Sequence, residues 1–121
     1  MKVFIIEDEL KQAPRNSILE ALLSIKAKVT YALSAEEAKA KFKPPYDLIL
    51  LDHDMRGFYE SSDVPHSGYQ FLKWSVEGGF WSSDWAPISR VIIHSQNGPG
   101  AKKMQALLRQ YGVKAEAKPF N

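Results

Sequence analysis

Three short polar clusters in this chain each directly follow a run of apolar residues, and a fourth lies near its end. Glu7-Asp8-Glu9 follows Val3–Ile6, and Asp52-His53-Asp54 follows Leu48–Leu51. His94-Ser95 follows Val91–Ile93, and Lys118-Pro119-Phe120 lies at the end. A polar group just after a buried strand sits at that strand's carboxyl end, the edge where open α/β sheets bind ligands. If the first and third strands are neighbours, Glu7, Asp8 and one or both of Asp52 and Asp54 converge. Three or four carboxylates in one crevice repel each other and stay ionised only beside a compensating cation. All-oxygen donors select Mg²⁺, Mn²⁺ or Ca²⁺ over zinc. Magnesium takes one or two carboxylates, waters and a phosphate oxygen. Any one of these acids is explained as a solvated strand end. The set, completed by the Lys118 amine, points to a site for a hard cation and a phosphoryl group.

The elements that must position these groups can be read along the chain. Val3–Ile6 is continuously apolar, as a strand buried on both faces should be. A helix is expected from near Pro14, with Ile18, Leu19, Leu22, Leu23 and Ile25 on its apolar face. Val29–Ala32 reads as a second strand. Ser34-Ala35-Glu36-Glu37 fits a capping box opening a helix to about Phe42, stopped by Pro44-Pro45. Leu48–Leu51 is the third strand. A long irregular loop follows, from Asp52 to about Ser67, of a length usually tied to function or disorder. A helix from Gly68 to Glu77 should end at Gly78-Gly79. Trp81 and Trp85 are expected to pack over the core edge. Ile88–His94 is the fourth strand, and Asn97-Gly98-Pro99-Gly100 reads as a turn. Ala101–Tyr111 is helical, with Met104, Leu107, Leu108 and Tyr111 on one face and Gly112 as its cap. Val113–Ala117 is the fifth strand. The alternation of strand and helix implies a parallel sheet with right-handed crossovers.

Size and composition set outer bounds. The 121 residues suit one domain, 1–121, with one core. There is no cysteine, so thiolate chemistry and disulfides are excluded. No apolar run approaches the ~20 residues needed to span a bilayer, and the opening residues are too short for a signal peptide. A cytoplasmic location with no membrane partner is the expectation. The net charge of +2 is too small to imply direct DNA binding. Residues 1–60 hold 9 basic and 10 acidic side chains, a net of −1, and residues 61–121 hold 7 and 4, a net of +3.

These motifs, in this order, resemble a receiver domain of two-component signalling. "FIIEDE" resembles the family's first-strand acidic pair, at Glu7 and Asp8. "DLILLDHDM" places Asp52 at the phosphoacceptor position and Asp54 where a backbone carbonyl completes the metal shell. "VIIHS" puts Ser95 at the hydroxyl position, and "KPF" makes Lys118 the phosphate-pairing lysine. The resemblance implies an α/β flavodoxin-like, doubly wound, five-stranded parallel sheet of order 2-1-3-4-5. It also implies an Mg²⁺ (or Mn²⁺) ion held by Glu7, Asp8, Asp52 and Asp54. Some features depart from the family. The glycine before the third helix comes late, at Gly68. Ala115 stands where an aromatic switch residue is expected, and the final helix is missing after Asn121, leaving the usual dimerisation face incomplete. His53 and His94 flank the site. These departures are similar to one branch, the cyclic-phosphate-processing receiver domains, through Ile6-Glu7-Asp8-Glu9, Leu51-Asp52-His53-Asp54, Ser67-Gly68-Tyr69 and His94-Ser95-Gln96-Asn97.

Histidine's ordinary pKa of ~6.5 suits proton transfer at neutral pH. A lone histidine at a strand end is more often a surface or packing residue, but His53, His66 and His94 all fall on one edge or its long loop. His94, beside Ser95, is the stronger acid–base candidate. His53 faces away from Asp52 if the segment is extended. Asp52, His94, Lys118, Ser95 and His53 are therefore the candidate catalytic residues. Arg15, His66 and Asn97 are candidates to bind the substrate, with Arg56 a further possible clamp and capping the plainer role for Asn97. Phe58 and Tyr59 are more plausible than Trp81 and Trp85 as stacking residues. A flavin-binding protein of this topology is disfavoured, because Glu7-Asp8-Glu9 would repel the flavin phosphate. Three readings remain. The first is hydrolysis of a nucleotide-derived cyclic phosphate or related phosphorylated small molecule. The second is a stand-alone receiver phosphorylated on Asp52 by a histidine kinase, working with another signalling protein. The third is a binding module that has lost the chemistry.

Overall fold

A computed structural model describes residues 2–6, 28–52, 67–94 and 98–118. Five strands form one parallel sheet of order β2-β1-β3-β4-β5. They are β1 (Lys2–Ile6), β2 (Lys28–Ala32), β3 (Leu48–Leu51), β4 (Arg90–His94) and β5 (Ala115–Lys118). The described helices are α1 (Ala35–Lys41), α2 (Gly68–Glu77) and α3 (Gly98–Gln110), with a 3-10 turn at Ala86–Ile88. This is the flavodoxin-like doubly wound arrangement expected from the sequence. The helix expected from near Pro14 lies outside the described residues.

The unbroken apolar runs follow from burial on both faces of the sheet. Phe4, Ile6, Ile49, Leu51, Val91 and Ile93 belong to one large core cluster. Their alternates Val3, Ile5, Leu50 and Ile92 form a second cluster. The period of two along each strand divides them in this way. The large cluster is covered by Ala35 and Ala38 of α1, Phe71, Leu72 and Val76 of α2, and Ala101, Met104 and Leu108 of α3. Phe71 is fully buried, stacked on Phe4 at 5.9 Å and edge-on to Phe42 at 5.4 Å.

Local chemistry fixes the helix ends. Ser34 Oγ accepts from the Glu37 N–H at 3.0 Å, an N-cap. The Glu37 carboxylate pairs with Lys41 one turn later, at 2.7 Å. Ser67 caps α2 by accepting from the Gln70 N–H at 3.2 Å. At the end of α3, Gly112 takes φ of 80°. Its N–H donates to the Arg109 carbonyl and that of Val113 to Leu108, each at 3.0 Å. This pair of bonds is the Schellman motif, which needs a residue free to adopt the left-handed region.

Four expectations are corrected by the structure. Ile88 is not in a strand: the Pro87 ring fixes φ and lacks an N–H, so Ala86–Ile88 turns as a 3-10 helix and Ile88 is 84% exposed. Gly98–Gly100 are not a separate turn but the first residues of α3, where proline is tolerated because the first N–H groups lack helical partners. Val113 does not open the last strand; its N–H closes α3, and β5 runs from Ala115 to Lys118. Tyr111 lies just past α3 and is 47% exposed, rather than on the buried face.

At the amino ends of the strands, Asp47 ties three elements together. Its N–H donates to the Lys2 carbonyl at 2.8 Å, and its carboxylate accepts from the Lys2 N–H at 2.6 Å. Its carbonyl accepts from the Arg90 N–H at 2.9 Å. Nearby, the buried Tyr46 hydroxyl accepts from the Lys43 N–H at 2.8 Å. Burial raises the Tyr46 pKa above the usual 10, while the Lys43 hydrogen bond pulls the other way. Phe71→Ala is expected to cost about 3–5 kcal/mol of stability by leaving a cavity in the ring cluster. Urea denaturation with an unchanged slope would measure it, and a loss below ~1 kcal/mol would contradict the packing described.

Candidate functional site

The strand register determines what can meet at the carboxyl edge. Ile6 pairs with both Ala32 and Leu51, Leu51 pairs with Ile93, and His94 pairs with Lys118. The next residue after Leu51 is Asp52, so Asp52, His94 and Lys118 stand at one level on three successive strands. Neighbouring strands are about 4.8 Å apart. His94 is therefore the near neighbour of Asp52 along the edge, and Lys118 is one strand further on.

Asp52 also occupies the point where the chain order reverses. From β1, the sheet grows one way to β2 and the other way to β3. Such a switch point leaves a crevice outside the strand ends. The Asp52 N–H donates to the Ile6 carbonyl at 3.1 Å, continuing the ladder one step beyond β3. Asp52 is only 4% exposed. Burying a carboxylate costs free energy unless charge or hydrogen bonds compensate it, and Asp52 is not without a partner. Helix α2 returns antiparallel to β3, so its capped start at Ser67 lies toward the same edge. Ser67 is fully buried. Its capping role had a sequence signal, a serine directly before a helical run, although the reading of Ser67-Gly68-Tyr69 gave it no such part.

Of the candidate residues, the structure describes Asp52 and the backbone placement of His94 and Lys118. Glu7, Asp8, His53, Asp54, Ser95, Asn97, Arg15 and His66 lie outside the described residues, as do Arg56, Phe58 and Tyr59. Among the described residues there is no cluster of three or more groups that could hold a metal ion. Asp52 suits a hard cation by its chemistry: it is a buried oxygen donor at a ligand-binding edge. Trp81 and Trp85 pack as expected against the core. The rings stack at 5.0 Å, Trp81 Nε1 donates to Ser75 Oγ at 2.8 Å, and Trp85 Nε1 donates to the Phe80 carbonyl at 3.2 Å. Ala115, at the position expected for an aromatic switch, packs half-buried against the large core cluster.

A family model described as the cyclic-phosphate processing receiver domain matches residues 1–110. The chain belongs to this receiver-domain family. A comparison with curated proteins finds no match. Solved receiver domains share the fold. The receiver domain of the Francisella response regulator 1452 superposes with a TM-score of 0.60 at 19% identity, over 99% of this chain and 85% of the other. The non-phosphorylated HemR receiver domain of Leptospira biflexa gives 0.62 at 19% identity, over 99% and 83%. The response regulator TrrA of Thermotoga maritima, solved in complex with Mg²⁺-BeF, gives 0.59 at 20% identity, over 99% and 88%. Among the described residues, no helix of this receiver domain is long and apolar enough to cross a membrane.

The ladder step beyond β3 can be checked directly. The Asp52 amide, buried and bonded to Ile6, should exchange with solvent as slowly as the amides of β3 in native-state hydrogen exchange. Exchange at the rate of a free peptide would contradict this placement.

Proposed function

We propose that this receiver domain is an Mg²⁺-dependent phosphoesterase that opens a nucleotide-derived cyclic phosphate. One observation carries the reading: in a chain of the cyclic-phosphate-processing receiver family, Asp52 and His94 stand side by side at the carboxyl edge, with Lys118 next in line. An ordinary phosphoacceptor site has no need of an imidazole beside the carboxylate, whereas a cyclic ester has a leaving oxygen that must gain a proton.

Glu7, Asp8, Asp52 and Asp54 would hold the cation, directly or through water. When bound, magnesium would polarise the phosphoryl oxygens. The Asp52 carboxylate attacks phosphorus, and the bond from phosphorus to one ribose oxygen breaks. His94, as imidazolium, gives that oxygen its proton. Lys118 and Ser95 donate to the equatorial oxygens, where charge accumulates. Neutral His94 then takes a proton from the water that cleaves the acyl phosphate, releasing a phosphomonoester and restoring Asp52. Direct attack by water with Asp52 as the base uses the same residues and gives the same product. His53 is a second proton carrier at this edge. Arg15, His66 and Asn97 would bind the rest of the substrate. Activity should need the cytoplasm's magnesium (or manganese) and no other cofactor.

A second reading has a specific observation in its favour. The similar folds are response-regulator receivers, one of them solved with Mg²⁺-BeF. The domain would then accept a phosphoryl group on Asp52 from a histidine kinase and pass the signal to a protein partner. Ala115 lacks the aromatic ring that such an output would use.

In a screen of nucleoside cyclic phosphates with Mg²⁺, Asp52→Asn should abolish turnover. His94→Ala should lower it by about 10²–10⁴-fold, the usual contribution of a general acid. Undiminished turnover in both variants would refute the assignment. A long-lived, Asp52-dependent mass gain from a small phosphodonor, without hydrolysis of any cyclic phosphate, would favour the signalling reading. Magnesium should also raise the melting temperature, because a ligand at ~100 times its Kd adds about 2.7 kcal/mol. That rise should shrink in Asp52→Asn, and an equal rise in both proteins would remove Asp52 from the metal site.

A further inference from the structure

At the amino ends of the strands, opposite the carboxyl edge, a groove and a knob lie side by side. The groove has a volume of about 620 Å³. Its apolar walls are Phe42, Phe80, Trp85, Pro44 and Pro45, and its charged lining residues are Lys43 and Asp84. Phe42 and Trp85 are buried, and the Phe42 and Phe80 rings meet edge-on at 6.0 Å, so the groove is already packed from beneath. The knob is Ile88, three residues beyond Trp85. It is 84% exposed, about twice as much as Tyr31, Leu33 or Tyr111. The Ile88 N–H donates to the Trp85 carbonyl at 3.2 Å, which fixes the knob relative to the groove wall.

A single exposed apolar side chain needs no explanation, but Ile88 is not isolated. Pro87 precedes it, and the 2.9 Å bond from the Arg90 N–H to the Asp47 carbonyl brings the segment after Lys43 alongside. Pro45 and Pro87 are both exposed. Other charges on this face are engaged. Arg90 pairs with Glu116 at 3.2 Å, and the Asp47 carboxylate accepts from the Lys2 N–H. Lys43 and Asp84 are exposed, and among the described residues neither is in an ion pair.

A patch with a knob, a groove and one free charge of each sign is complementary to itself. In a twofold pair every contact occurs twice, residue i on j and j on i. We propose that this face joins two copies of the chain. Ile88 of each copy enters the Phe42, Phe80 and Trp85 groove of the other, and Lys43 of each faces Asp84 of the other. An unlike protein would answer one element of this set, whereas a second copy answers all four with residues the chain already has. The pair leaves both carboxyl edges open, so it does not rest on the proposed function.

The test is sedimentation equilibrium of the full chain from ~1 µM to ~1 mM, a range that reaches weak interfaces of small area. The average mass should rise with concentration from that of one chain towards that of two. Ile88→Asp should weaken association by at least ~30-fold, as loss of a central interface contact does. Lys43→Glu should weaken it about fivefold by setting like charges face to face, and so should Asp84→Lys. The double variant K43E/D84K should restore the original affinity, because the charge pair is rebuilt with its signs exchanged. All three positions are exposed, and melting curves establish that each variant folds. The mass of one chain at every concentration overturns the proposal. Association that Ile88→Asp leaves unchanged overturns it, as does growth beyond two chains, which a closed twofold pair does not allow. A double variant no tighter than the single ones overturns the facing of Lys43 and Asp84, and with it the twofold arrangement.

Discussion

Everything at the carboxyl edge depends on the alignment of β1, β3 and β4. Three parallel strands end together because their apolar residues pair one to one, Ile6 with Leu51 and Leu51 with Ile93. Both faces of these strands are buried, so a slip of one residue would exchange the two core clusters and put Ile6 where Ile5 belongs. The penalty for that exchange is what holds a carboxylate and an imidazole-bearing residue at one height, and the pairing of His94 with Lys118 brings the amine-bearing residue to the same level. The 3.1 Å bond from the Asp52 amide to Ile6 is the last rung of this alignment, at the place where the sheet changes direction.

The fold was legible because hydrophobicity alone announces the three central strands β1, β3 and β4. Runs such as VFII and LILL are too short for helices and too apolar for an exposed face. The helix caps at Ser34 and Gly112 were legible from local chemistry, since each is decided within a few residues. The errors came where two local rules competed. Ile88 continues the hydrophobic pattern of β4, but Pro87 cannot supply a strand hydrogen bond. Val113 looks like the start of a strand and instead finishes a helix, because a Schellman motif draws the residue after its glycine back onto the last turn. Gly98-Pro99-Gly100 has turn composition, yet a helix start makes few demands on its first amide groups.

The site was legible to a lesser degree. Residue type, order and position after a strand place Asp52, His94 and Lys118, and the register agrees. What the pattern of a single chain does not encode is side-chain direction beyond the strand ends. The aromatic segment between α2 and β4 shows a related limit. Trp81 and Trp85 could be assigned to the core by bulk, but the hydroxyl of Ser75, which donates to the Leu72 carbonyl at 2.7 Å while holding the Trp81 indole, carries no sequence signature.

Asp47 has a consequence for how such a domain can change. It fastens β1, β3 and β4 at their starts through three short contacts, on the side opposite the reactive rim. Because Asp47 reinforces the alignment at that end, segments at the other rim are free to lengthen. Doubling a connection adds only about 0.6 kcal/mol of closure entropy. The generous stretch between Asp52 and Ser67 is thus an inexpensive elaboration, and new specificities can be grafted onto the rim while the distant knot keeps the scaffold true.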